Sequence, residues 1–257
     1  MMRFKSLGSG SSGNATLVQV NGSDACNVLI DCGLGLRRLV QQLDRSGILP
    51  DQLDAIFITH EHSDHTGCVQ TLSNHYNIPV WMSMGTATAM GLVNTSGLLH
   101  TASDGDIIEI KSLQLRPFTV PHDAREPLQL TCTNGAAKLG ILTDLGHATA
   151  HVLEQLQGCH ALMLECNHDV DLLSASAYPN FLKIRVGGQY GHLANSQAAS
   201  IAGAVLHTGL KHVVAAHLSQ QNNSPELVKN SLAKALSCSA DDIIVATQDT
   251  GSPWFDT

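Results

Sequence analysis

The chain has 257 residues, 43% of them hydrophobic and 14% charged, which excludes an intrinsically disordered protein and fits one large domain or two small ones. A formal net charge of −8 argues against a surface coated in basic side chains for nucleic acid. No apolar run reaches the length of a membrane span, and Met1-Met2-Arg3-Phe4-Lys5-Ser6 lacks the apolar core of a signal peptide.

The first feature along the chain is a small polar loop, Ser9-Gly10-Ser11-Ser12-Gly13-Asn14, followed by a strand over 15–20. Its glycines let a backbone approach a ligand closely, and Ser12 and Asn14 are candidate substrate contacts. A plain hairpin turn is the alternative. The apolar run Val28-Leu29-Ile30 ends in Asp31 and, two residues on, Gly33; a helix follows over about 36–46. A second strand-like run, 53–59, leads into Thr59-His60-Glu61-His62-Ser63-Asp64-His65. Imidazole and carboxylate are ligands that zinc, manganese and iron accept. In an extended segment His60 and His62 point the same way. Asp64 and His65 fall where the chain turns into a helix expected over 66–76. One loop can therefore serve two metal ions. A polar surface loop is the plainer reading, but four ligand-type residues after a buried strand speak against it.

Next come a strand at 80–82, a helix around 86–92, and strands over 107–110 and 113–120, the last ending at His122. The strand expected over 137–146 ends in Asp144, and a short helix spans 148–157. The run over 160–169 is a strand with a polar end, Glu165, His168 and Asp169. Gly191-His192 precedes a helix over 197–208, with Asn195 or Ser196 as its cap. A strand over 211–217 ends in His217, Ser224-Pro225 opens a further helix, and 242–246 is the closing strand. Ligand-type residues thus recur at strand ends: His60 to His65, His122, Asp144, Glu165 and His217. Coincidence accounts poorly for that. Closed structural zinc sites use cysteine, and this set is all nitrogen and oxygen, which favours catalysis. The seven cysteines are scattered and never spaced Cys-x-x-Cys, so they read as free, mostly buried thiols of a reducing, cytoplasmic compartment.

His60-x-His62-x-Asp64-His65 resembles the signature of the metallo-β-lactamase fold hydrolases. The resemblance implies an α/β fold, an αββα sandwich of two facing mixed sheets flanked by helices. It implies two divalent ions per chain, zinc or manganese, with iron also suited to the donors. One ion would be bound by His60, His62 and His122 with Asp144. The second would be bound by Asp64, His65 and His217, again with Asp144, and Asp31 would orient ligands from behind. A hydroxide held between two such ions is a nucleophile at neutral pH. The order Asp144, Glu165, Gly191-His192, His217 resembles the phosphodiesterase and nuclease branch. There His192, held by Glu165, would protonate the leaving oxygen, and Asp64 would share in the catalytic set.

Further stretches make the chain similar to the YycJ (WalJ) family of small metallo-β-lactamase fold proteins. They include Leu7-Gly8-Ser9-Gly10-Ser11-Ser12-Gly13-Asn14, Leu182-Lys183-Ile184-Arg185 and His217-Leu218-Ser219-Gln220-Gln221-Asn222-Asn223. That family implies a DNA 5′-to-3′ exonuclease. No break rich in Pro, Gly or Ser is long enough to be a linker, so the chain reads as a single domain over 1–257. The stretch from Asp144 to His192 is too short for a β-CASP insertion. Lys183, Arg185 and His168 are the candidate contacts to substrate phosphate. The partner expected is DNA, with RNA or a small phosphodiester as alternatives, and no membrane. A small-molecule hydrolase, either cyclic phosphate diesterase or thioesterase, is the competing enzyme class. A metal-binding regulatory module is the non-enzymatic one.

Overall fold

A computed structural model of the chain describes residues 1–94 and 96–257. Fourteen strands form two seven-stranded sheets, split by chain order. The first sheet holds β1 (Met2–Gly8), β2 (Ala15–Val20), β3 (Cys26–Ile30), β4 (Ala55–Phe57), β5 (Val80–Met82) and β6 (Leu99–Thr101). The second holds β7 (Ile108–Ile110), β8 (Leu113–Thr119), β9 (Leu128–Thr133), β10 (Lys138–Leu142), β11 (Ala161–Glu165), β12 (His212–Ala216) and β13 (Ile244–Val245). A last strand, β14 (Phe255–Asp256), returns to the first sheet and pairs antiparallel with β1. Both sheets are mixed: β1 to β3 run antiparallel and β3 to β6 parallel, while β7 to β10 run antiparallel and β10 to β13 parallel.

Side-chain alternation builds the layers. Val28, Ile30, Ala55 and Phe57 of the first sheet meet Leu139, Ile141, Ala161 and Met163 of the second in one buried cluster between the sheets. The intervening residues turn outward: Leu29 and Ile56 pack under α1 (Leu36–Arg45), α3 (Val69–Tyr76) and α4 (Met84–Ala89). Leu162 and Leu164 pack under α5 (Ala150–Leu156), α8 (Asn195–Ala204) and α9 (Pro225–Leu236). The result is an αββα sandwich. Among the described residues no helix is long and apolar enough to cross a membrane.

Several expected elements differ in detail. The helix expected over 66–76 is two: a single turn, α2 (Ser63–Thr66), and α3, broken at Gly67. A Cβ on Gly67 would lie 2.7 Å from the Gly33 carbonyl oxygen, so the break is where the chain grazes another backbone. The cap of α8 is Ala194, not Asn195 or Ser196; Gln197 Oε1 accepts from the Ala194 N–H at 2.9 Å instead. The run 242–246 is not the closing strand, because β14 follows it. Ser224 caps α9 as expected, its Oγ accepting from Leu227 N. Two short helices of the later chain are α6 (Val170–Ala175) and α7 (Asn180–Val186).

Candidate metal centre

The parallel strands bring their carboxyl ends to one edge of the sandwich, where ligands bind in open α/β sheets. Asp31 follows β3, His60 follows β4, Asp144 follows β10, Glu165 ends β11 and His217 follows β12. Asp31 and His217 sit at positive φ, 61° and 56°, a conformation that favours glycine. Asp31 recovers that cost through its carboxylate. Oδ1 accepts from Thr59 N and Thr59 Oγ1, both at 2.9 Å, and Oδ2 accepts from His65 Nδ1 at 2.7 Å.

His60, His62 and His122 converge, and their outer hydrogen bonds assign which nitrogen carries the proton. Thr59 Oγ1 gives its hydrogen to Asp31, so at 3.0 Å it accepts from His60 Nδ1–H. His122 Nδ1 donates to the Gly191 carbonyl at 3.0 Å, and His62 Nε2 to the Asp123 carbonyl at 3.2 Å. Three bare lone pairs remain, and they face one another: His60 Nε2 to His62 Nδ1 at 3.1 Å, His122 Nε2 to His62 Nδ1 at 3.3 Å. Nitrogens about 2.0–2.1 Å from a tetrahedral zinc stand about 3.3 Å apart, so a divalent ion fits this group. Burial holds His60 well below the ordinary imidazole range and His122 below it, which keeps both neutral.

Asp64, His65 and His217 form a second group with ligand atoms within 4.8 Å of one another. His217 Nε2 lies 3.3 Å from Asp64 Oδ2, and His65 Nε2 lies 3.6 Å from the same oxygen. Asp144 stands between the groups, clustering with His60 and His65 on one side and with His192 and His217 on the other. Its buried Oδ2 is 2.9 Å from His65 Nε2, a contact that the His65 proton bridges in the metal-free protein and that a shared cation would replace. Burial opposes the Asp144 charge, but His217 and His65 hold the carboxyl well below its usual range. Burial also lowers His65 and His217. For His65 the carboxylates of Asp144 and Asp31 win, and for His217 those of Asp144, Asp64 and Glu165 win; each is pushed up to about 10.

His192 and His217 turn Nδ1 toward the same two oxygens, but His192 lies closer; His217 stands 3.3 Å from Glu165 Oε1 and 3.4 Å from Asp144 Oδ1. From His192 Nδ1, Glu165 Oε1 lies 2.6 Å away and Asp144 Oδ1 3.2 Å away. Glu165 is fully buried, and its other oxygen accepts from Leu145 N at 2.9 Å and Leu193 N at 3.3 Å. That fixes Glu165 with Oε1 toward the imidazole. Burial alone would lower His192; Glu165 and Asp144 push it up to about 10, so it is an imidazolium at neutral pH. With Nδ1 engaged, Nε2–H is the proton left for the cleft, which His192 lines.

The cleft measures about 420 Å³ and runs from the metal-type side chains to the loop after β12. The expected substrate contacts fare unevenly. Arg185 lines the cleft, with Nε on Asp123 Oδ2 at 2.5 Å. Ser12 is exposed and does not line it, whereas its neighbour Ser11, also exposed, does. Asn14 is buried behind the metal-type residues, its Oδ1 accepting from Gly10 N at 2.9 Å and its Nδ2 lying 3.3 Å from Asp64 Oδ2. Lys183 lies outside the cleft, its ammonium donating to the Ser174 carbonyl at 2.6 Å. His168 is buried and does not line the cleft. Thr59, Asn167 and Asn222 were not expected at the site. Thr59 had a readable signal, a hydroxyl directly before His60; Asn222 lies in the family-like stretch 217–223, where nothing marks it over its polar neighbours, and Asn167 stands out no more than other polar loop residues.

Residues 8–152 match the family model described as Metallo-beta-lactamase superfamily. The chain is 32% identical to Exodeoxyribonuclease YycJ of Bacillus anthracis, over 91% of this chain and 89% of that protein. It is 30% identical to Exodeoxyribonuclease WalJ of Streptococcus pneumoniae, over 91% and 88%. The crystal structure of YhfI from Bacillus subtilis, a metallo-beta-lactamase fold protein, superposes with a TM-score of 0.76 at 14% identity, covering 100% of both chains.

Proposed function

The chain belongs to the metallo-β-lactamase superfamily of hydrolases, and within it to the YycJ/WalJ family, and on that premise we propose that it is a dinuclear metal-dependent phosphodiesterase acting as a DNA 5′-to-3′ exonuclease. His60, His62 and His122 would hold one ion and Asp64, His65 and His217 the other, with Asp144 placed between the two groups. Zinc or manganese suits the nitrogen and oxygen donors. Two such ions supply Lewis acidity at phosphorus and water of lowered pKa at neutral pH. Asp31 fixes the His65 ring through Nδ1, leaving Nε2 for the metal side. His192 gives its Nε2 proton to the leaving oxygen, and Glu165 holds the ring and its charge. The 2.6 Å contact between Glu165 and His192, beside two groups of metal-type residues, is the observation that carries the reading.

The choice of DNA follows the names of the relatives, exodeoxyribonucleases, and the 5′-to-3′ polarity is the one that the resemblance to their family implies. We read 1–257 as one domain without a β-CASP insertion; between Asp144 and His192 lie only α5, β11, α6 and α7, which supports this. All seven cysteines are free and six are buried, which supports a cytoplasmic setting. The test is a panel with Mn²⁺ or Zn²⁺ on end-labelled duplex DNA, RNA and bis(p-nitrophenyl) phosphate. Nucleotides released first from 5′ ends of DNA is the expected outcome. Cleavage of RNA alone, or of none of the three phosphodiesters, would refute it.

A further inference from the structure

We propose that the cleft wall beyond the metal-type side chains is a nucleoside subsite, an uncharged amide surface that takes the base and sugar of one terminal nucleotide. The proposal rests on the phosphodiesterase reading above. This wall is made by Asn167, Tyr178, Ser219, Gln220, Gln221 and Asn222. The loop after β12 that carries most of it is pinned from below. Ser219 N donates to the Asn167 carbonyl at 2.8 Å, and Asp169 N to the Asn222 carbonyl at 2.8 Å. His217 N donates to Ser9 Oγ at 2.8 Å.

Two adjacent asparagines in this loop are used in opposite ways. Asn223 spends its amide on the fold: Nδ2 donates to the Cys166 carbonyl at 2.8 Å, and Oδ1 accepts from Asn195 Nδ2 at 2.9 Å. Asn222 is fully buried at the cleft, and neither its Oδ1 nor its Nδ2 has a partner among the described residues. A buried amide left unpaired is unfavourable, so native structures rarely keep one without a use. Gln220 and Gln221 beside it are exposed and add further donors and acceptors.

The wall's charge decides what it reads. Arg185 is the only lysine or arginine lining the cleft among the described residues, and Asp123 already engages it. Phosphate recognition needs cations or backbone donors; amides offer both donor and acceptor, as base edges and sugar hydroxyls require. The Tyr178 ring supplies a stacking face. At about 420 Å³ the cleft is near the small end of ligand pockets, which run from about 300 Å³ upward. That suits one nucleotide rather than a stretch of strand.

The test compares two esters in the metal-loaded enzyme: thymidine 5′-(p-nitrophenyl phosphate) and bis(p-nitrophenyl) phosphate. The unmodified chain should prefer the nucleoside ester through a lower KM. In Gln221→Ala and Asn222→Ala that preference should shrink by roughly tenfold, the worth of one or two hydrogen bonds. Gln221 is exposed, so its variant folds irrespective of the Asn222 result. Asn222→Ala should not lower the melting temperature, because its amide holds nothing in the free protein. A preference unchanged in both variants, or a lowered melting temperature with an unchanged preference, overturns the subsite and leaves the phosphodiesterase reading standing. Failure of the unmodified chain on both esters overturns that reading and the subsite with it.

Discussion

His192 and His217 occupy similar places, each an imidazole near a buried carboxylate, and their tilted rings are 5.2 Å apart. Both turn Nδ1 toward Glu165 Oε1, His192 at 2.6 Å and His217 at 3.3 Å, and their Nε2 atoms separate them: that of His217 faces Asp64 at 3.3 Å, that of His192 the open cleft. His192→Ala should therefore retain about two metal equivalents and lose turnover by roughly 10²–10⁴-fold, the worth of a general acid. A nitrophenyl ester, which needs no proton on its leaving group, should recover much of that loss. His217→Ala should lose metal and activity together, measured by metal analysis after gel filtration. An emptied metal site in His192→Ala would sink the division of roles. The pKa directions give a second prediction. His65 and His217 are pushed up to about 10, so the metal-free protein carries both protonated at neutral pH, and a metal must displace those protons. His60 and His122 are lowered and already neutral. Affinity for the second equivalent should thus rise with pH from neutral toward 10, while the first changes little. Calorimetry in buffers of different ionisation enthalpy reads the released protons. Equal proton release for both equivalents would contradict the assignment. The ligand-type residues themselves were legible in the sequence as polar residues at strand ends. Most of their tautomers were not, because they are set by partners distant in the chain, such as the Gly191 carbonyl for His122.

At the scale of elements, the metal loop is held by an interlock of three backbones. Cys32 N donates to the His65 carbonyl at 2.7 Å, Asn14 N to the Asp64 carbonyl at 2.7 Å, and Gly33 N to the Asn14 carbonyl at 2.9 Å. A Cβ on Gly33 would lie 1.7 Å from the Asp64 carbonyl oxygen, so no side chain fits. Gly33→Ala should push α2 outward. It should destabilise the fold by about 1–3 kcal/mol or more, as overpacking does, and weaken the Asp64 and His65 group before the three-histidine group. Denaturant unfolding and stepwise metal titration measure the two effects; an unchanged second affinity would show that α2 does not depend on this contact. The longer elements after the first strand were legible: β2, β8, β10 to β12, α1 and α9 follow apolar runs or capping residues. Strand β9 was not, because Gln129 and Thr131 interrupt its apolar residues. Both are buried, and Gln129 Oε1 accepts from Thr143 N at 3.1 Å on the neighbouring strand side, a pairing invisible locally. Helix α7 escaped for the opposite reason. None of its residues is buried, and Phe181 and Ile184 are exposed, so no buried face marks it as a helix.

Across the whole molecule, the sandwich itself came from the histidine motif and not from periodicity. Strands buried on both faces read as continuous apolar runs, and nothing local assigns Ile56 to one sheet and Leu162 to the other. The charge balance was fully legible, and its consequence depends on the structure. The chain carries 14 lysines and arginines against 22 aspartates and glutamates. The cleft adds Asp64 and Asp144, and its one arginine is paired with Asp123. A metal-free protein of this kind repels a polyanion at long range, and at the site the imidazoliums of His192 and His217 do no more than balance Asp64 and Asp144. Divalent ions add net positive charge where the phosphate must sit, so binding of DNA should be gated by metal. The His192→Ala variant allows the measurement without turnover. Its fluorescence anisotropy with a labelled strand should stay flat in a chelator and rise on adding Mn²⁺. Because few cationic side chains contact phosphate, the affinity should also fall only gently with salt. A slope of log affinity on log salt of about −1 is expected for single-stranded DNA, against about −0.7 for each phosphate neutralised. Tight binding in the chelator, or a slope several times steeper, would place the DNA on a cationic surface elsewhere on the molecule.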